Sequence, residues 1–96
     1  MNLTAAEIKK RLKDWYFLKA FISTTGGGGN LEKELNAIER AIEALDKNDA
    51  AVIRMRYFDK AEVEFIAKKL FLSRQAVDKR LNKTLERIAF CISNGG

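Results

Sequence analysis

Between positions 73 and 87 the chain carries Ser73, Arg74, Gln75, Asp78, Lys79, Arg80, Asn82, Lys83 and Arg87. Arginine matches guanine and glutamine matches adenine, each through two hydrogen bonds, while lysine and arginine neutralise phosphate. Arg74 and Gln75 are therefore the first candidates for base contacts, and Lys79 suits either role. Arg80, Lys83 and Arg87 are candidates for phosphate, with Asn82 on the same outward side. The Ser73 hydroxyl and the N–H groups that open a helix there also suit phosphate. Lys68 and Lys69 reach for phosphate from the preceding segment. Asp78 is the exception: a carboxylate repels phosphate, so it either accepts from a cytosine amine or restrains Arg74 one turn away. Any one of these cations alone reads as a solvated surface charge; together they share a face. The set binds rather than transforms. The chain has no His, one Cys, no cluster of carboxylates and no Cys/His spacing suited to metal, which argues against an enzyme and for no cofactor.

Such residues need a rod to present them. Val77, Leu81, Leu85, Ile88 and Ile92 recur every three or four residues, and Gln75, Lys79, Asn82 and Lys83 lie opposite. Ser73 is a natural N-cap, since its hydroxyl accepts an otherwise unpaired N–H of the next turn. Before it, Val63, Ile66, Ala67 and Leu70 mark a shorter helix. Helix, tight turn and capped helix over 61–88 form the pattern of a helix-turn-helix that enters a DNA major groove.

The 96 residues include no Pro, 47% are hydrophobic, and the net charge is +5. A basic balance favours an anionic partner, nucleic acid ahead of membrane. The charge is uneven: residues 1–22 and 73–96 each hold five basic and two acidic groups, whereas 31–47 hold three and five. No apolar run is long enough to cross a membrane and no secretory leader is expected, which suits a cytoplasmic setting. The lone Cys91 cannot form an internal disulfide and reads as a buried thiol in a reducing compartment.

Upstream, Thr4 and Glu7 have the spacing of a capping box that opens a helix to about Ile22. Ile8, Leu12, Trp15, Leu18 and Ile22 form its inner stripe, widened by Tyr16 and Phe17. Residues 23–30, STTGGGGN, form a Gly-rich loop without the Lys and Ser/Thr that a phosphate-cradling loop requires. A second helix from Leu31 to Lys47 has a heptad-like seam of Leu31, Leu35, Ile38, Ile42 and Leu45. That seam is expected to pack on the first helix, with dimerisation as the alternative. A third, from Asn48 or Asp49 to Tyr57, is capped by one of those two side chains, and Arg54 and Arg56 are candidates to pair with Glu62 or Glu64. The division expected is an N-terminal helical hairpin, 1–47, and a helix-turn-helix domain, 48–96. The fold class is all-α, with about five helices.

Read together, residues 45–88 resemble region 4 of bacterial sigma factors. The resemblance rests on Val52-Ile53-Arg54-Met55-Arg56-Tyr57-Phe58, on Glu64-Phe65-Ile66-Ala67-Lys68-Lys69-Leu70, and on the Ser73-Arg74-Gln75-Ala76-Val77 opening of the last helix. No segment resembles the module that melts promoter DNA. The N-terminal layout, Glu7 to Leu12 and Trp15 to Leu18 followed by the Gly-rich loop, is similar to phage late transcription regulators of the ArpU and RinA type. Two departures stand out. Phe71 takes a turn position usually given to glycine, so it either stores strain or the turn is built differently. Asp78 stands near a position where sigma region 4 helices usually carry arginine, so the family's promoter-element preference does not carry over.

The resemblance implies a sequence-specific double-stranded DNA-binding regulator, a phage or prophage activator that works at a promoter with RNA polymerase. A homodimer through residues 4–47 would read two half-sites about one DNA turn apart. Two alternatives remain open at this point: a DNA-packaging component like a phage small terminase, and a module that binds polymerase without DNA specificity.

Overall fold

A computed structural model of the chain describes residues 1–26 and 29–95. Among them are six α-helices and no strand: α1 (Ala5–Lys13), α2 (Trp15–Thr25), α3 (Asn30–Ala44), α4 (Lys47–Ile53), α5 (Val63–Leu70) and α6 (Arg74–Gly95). A π-helical segment, Arg54–Phe58, continues α4. Gly27 and Gly28, in the expected 23–30 loop, and Gly96 lie outside the described residues.

The fold is organised around α6. Its stripe of Val77, Leu81, Leu85, Ile88 and Ile92 is buried as its spacing predicts, with Thr84 buried beside it. α1, α3, α4 and α5 all pack on this helix. Ile8 and Leu12 of α1, Leu35, Ile38 and Ile42 of α3, and Ile66 of α5 thus join one continuous core. Burying such a side chain contributes roughly 1.5–3 kcal/mol each, which is what holds a chain of this length folded. The seam of α3 was expected to meet the first helix; its main partner is α6. Two ion pairs also bridge the N-terminal helices and α3, Arg11 to Glu34 and Lys19 to Glu39, both at 3.1 Å.

Several boundaries differ from the sequence reading. The first helix breaks at Asp14, whose φ of −100° and ψ of 15° interrupt the helical path, and α2 starts at Trp15. The capping box is present: the Glu7 N–H donates to the Thr4 hydroxyl at 3.1 Å, and the Thr4 N–H donates to the Glu7 carboxylate at 2.9 Å. These bonds hold the Glu7 carboxyl below the usual range. α2 ends on Gly26, φ 81°, and α3 starts after Gly29, φ 53°; both are conformations that glycine adopts without a steric penalty. Helix α4 is capped by Asp46, not by Asn48 or Asp49: the Asp49 N–H donates to the Asp46 carboxylate at 2.9 Å, which keeps that carboxyl below its ordinary range.

The π segment was not expected. Its wider turn is closed by the Asp59 N–H donating to the Arg54 carbonyl at 2.9 Å. It buries Tyr57 and brings the Phe58 ring to 5.2 Å from that of Trp15. Tyr16 and Phe17 do not widen the core stripe; both are exposed, and the Tyr16 hydroxyl donates to the Phe58 carbonyl at 2.9 Å. Cys91 is exposed rather than buried. α6 runs on through Ser93 and Asn94, where the Asn94 amide donates to the Phe90 carbonyl at 3.0 Å.

Candidate nucleic-acid interface

The helix-turn-helix consists of α5, a three-residue turn of Phe71, Leu72 and Ser73, and the start of α6. α5 ends in an αL cap at Phe71, φ 57° and ψ 43°, with the Leu72 N–H donating to the Ala67 carbonyl at 2.9 Å. This is the geometry glycine normally provides, so the side chain strains the turn by about 1–2 kcal/mol. Ser73 then caps α6: the Ala76 N–H donates to its hydroxyl at 3.0 Å, and the Val77 N–H to its carbonyl at 3.1 Å. Cap and turn together fix where the first side chains of α6 emerge.

At 100° per residue, the side of α6 opposite the buried stripe passes through Gln75, Lys79 and Lys83, then Glu86 and Phe90. All five are exposed. The cationic face therefore spans the first three turns and ends at Glu86. This is the end of a recognition helix that approaches base edges. Lys68 and Lys69, in the last turn of α5, are exposed beside it, where the helix C-terminus favours positive charge. The Lys69 ammonium lies 5.7 Å from the centre of the exposed Phe65 ring.

The other expected site residues divide by environment. Arg74 is exposed, with Nη1 3.1 Å from Oε1 of Glu64 on α5, both side chains about two-thirds exposed. An ion pair so open to water contributes only about 0.2–1 kcal/mol, so the guanidinium is readily transferred to another acceptor. Asp78 is exposed, and Glu64 rather than Asp78 restrains Arg74. Burial pushes the Tyr57 phenol up, an effect opposed by the positive charge of Arg56 and reinforced by the negative charge of Asp78. Arg80 is half-buried in a groove of about 220 Å³ with Asn48, Ala51, Leu70 and Leu72. Asn82 is exposed, but lines a groove with Ala5, Ala6 and Lys9 of α1.

Arg87 sits apart from the cationic face. It donates from Nη1 to the largely buried carboxylate of Asp49 at 2.7 Å, and Asp46 stands 3.8 Å away. The sequence reading gave Asp49 as a candidate helix cap and Arg87 as a phosphate contact, and periodicity within one helix carries no signal for a pair between two. Arg56 is tied to backbone, donating to the Ala61 carbonyl at 3.1 Å rather than pairing with Glu62 or Glu64. The Glu64–Arg74 pair was also missed: the two positions lie on different helices, and only the geometry of the turn brings them together.

Residues 41–89 match the family described as Sigma-70, region 4. No curated protein and no solved structure matches the chain. The match begins at Ala41, inside α3, and ends at Ala89, so it takes in the α4 cap, the π segment, α5, the turn and most of α6.

Proposed function

This chain belongs to the Sigma-70, region 4 family, a DNA-binding helix-turn-helix module, and from that premise we propose a sequence-specific transcription regulator acting on double-stranded DNA. The observation that supports it most is the exposed run of Gln75, Lys79 and Lys83 on the first three turns of α6, opposite its buried stripe. In this reading α6 enters the major groove, Arg74 and Gln75 contact bases, and Lys79 contacts a base or phosphate. Lys68, Lys69, Ser73, Arg80 and Lys83 contact the backbone. Arg87 first holds α6 against α4, and Asn82 lies toward α1.

The finer assignment is an activator of a phage or prophage, supported by the N-terminal layout and by the family's place in transcription. It would act with RNA polymerase at a promoter, in the cytoplasm of a bacterial host. A homodimer through residues 4–47 is supported by Phe17 and Phe21, two large side chains that α2 leaves exposed. No helix among the described residues is long and apolar enough to cross a membrane.

The test is enrichment of bound duplexes from a random pool, followed by affinity measurements over a range of salt. One enriched sequence, or two related half-sites, with affinity falling steeply as salt rises, is expected. Binding of every duplex equally would overturn sequence-specific regulation. Mass in solution should be that of a monomer or dimer; a ring of eight or more subunits would instead favour a packaging component.

A further inference from the structure

Phe71 is 95% exposed, more than any other large apolar side chain described, and it occupies the αL cap at φ 57°. Both facts run against stability. Glycine adopts that backbone freely, and a bare aromatic ring gains no burial. The described residues leave the ring almost uncovered. Its surroundings indicate what could. Phe71 lines a shallow groove of about 630 Å³ with Glu64, Ala67, Lys68, Leu72, Ser73 and Arg74. It lies two residues before the Ser73 cap, beside the end of α6 that faces bases in a helix-turn-helix. The cations that line it, Lys68 and Arg74, suit a polyanion better than an apolar protein face. In the major groove of duplex DNA the apolar group on a base edge is the C5-methyl of thymine, which aromatic and small apolar side chains contact.

We propose that Phe71 reads a thymine methyl group in the major groove, adjoining the bases faced by the start of α6. The inference rests on the DNA-binding reading above and adds to it a residue that determines specificity. It also accounts for a turn that keeps a strained, uncovered side chain where glycine would be more stable.

The experiment compares the full chain and Phe71→Gly on the best duplex enriched from a random pool. A parallel set of duplexes carries deoxyuridine, which lacks the methyl group, in place of one thymine at a time. The wild type is expected to lose about three- to tenfold in affinity at one thymine position. Phe71→Gly should lose the same factor on the thymine duplex and be indifferent to deoxyuridine there. The variant should also melt about 5 °C higher, showing that the lost affinity is not lost folding. Retention by Phe71→Gly of both full affinity and the deoxyuridine penalty would overturn the inference while leaving the DNA-binding reading intact. So would loss of affinity with no thymine position sensitive to the methyl. Full duplex affinity combined with weakened binding to bacterial RNA polymerase would overturn it in favour of a protein contact. A wild type that enriches no duplex would overturn both readings at once.

Discussion

Two arginines on α6 show how one residue type takes two roles thirteen positions apart. Arg74 and its partner Glu64 are both about two-thirds exposed, and water competes for each end of the pair. Arg87 reaches a carboxylate, that of Asp49, which is only 12% exposed, at 2.7 Å. A charge-assisted hydrogen bond to a shielded acceptor is roughly twice as strong as a neutral one, and breaking it leaves a buried charge unpaired. The exposed pair costs little to open. The first arginine is available to a ligand; the second fastens α6 to α4. Exposure of the acceptor, rather than position on the helix, separates them.

That contrast can be broken most directly at the end of α6 proposed to read DNA. Replacing Arg74 and Lys79 together by Ala is expected to reduce affinity for the best enriched duplex by about a hundredfold, with unchanged melting. Unchanged affinity in a titration of that double variant would remove the proposed face from consideration. At the other end, Arg87→Ala should lower stability by about 1–2 kcal/mol, or roughly 5–10 °C in Tm, discounted for the half-exposed guanidinium. It should also leave the salt dependence of DNA binding as it was. A slope reduced by about one would instead make Arg87 a phosphate contact, as its charge alone suggests.

Smaller effects sharpen the same comparison. Glu64→Gln frees Arg74 and removes a negative charge near the groove, so affinity should rise by about threefold with stability changed by less than about 0.5 kcal/mol. A fall in affinity would show that Glu64 positions Arg74 for its contact. The last effect is one of pH. The Asp46 and Glu7 carboxyls are both held low by the backbone N–H groups they cap. Their contribution is present above the ordinary carboxylate range and is lost as pH falls through the lowered values, so it erodes only below about pH 4.5. Melting followed from pH 7 to 3 should show a shallower acid loss in Asp46→Asn than in the wild type.

The sequence read α6 well because its pattern is redundant: five stripe positions, a serine cap and an opposed polar face all specify one helix in one orientation. The Thr4–Glu7 box was legible for the same reason, two complementary side chains at fixed spacing. What escaped depended on neighbours. An apolar stripe says which face seeks cover, not which helix provides it, so α3 has α6 as its main partner. Tyr16, Phe17 and Cys91 lie at the borders of such stripes, and a 96-residue chain has too little partner surface to cover every border. The π segment and the break at Asp14 each alter the path by about one residue, below what a 3.6-residue period resolves. For the interface, periodicity indicated which side chains of α6 point outward, but the Glu64 and Asp49 contacts that separate Arg74 from Arg87 come from other helices.

The exposed thiol at the rear of α6 has a practical consequence. Cys91 is the lone cysteine of the chain and lies eighteen residues beyond Ser73, about 27 Å along the helix axis. A maleimide dye would therefore attach at one defined point, far enough from the proposed DNA-contacting end to spare it, yet on the same rigid rod. Its fluorescence anisotropy would follow docking without engineering any new attachment site.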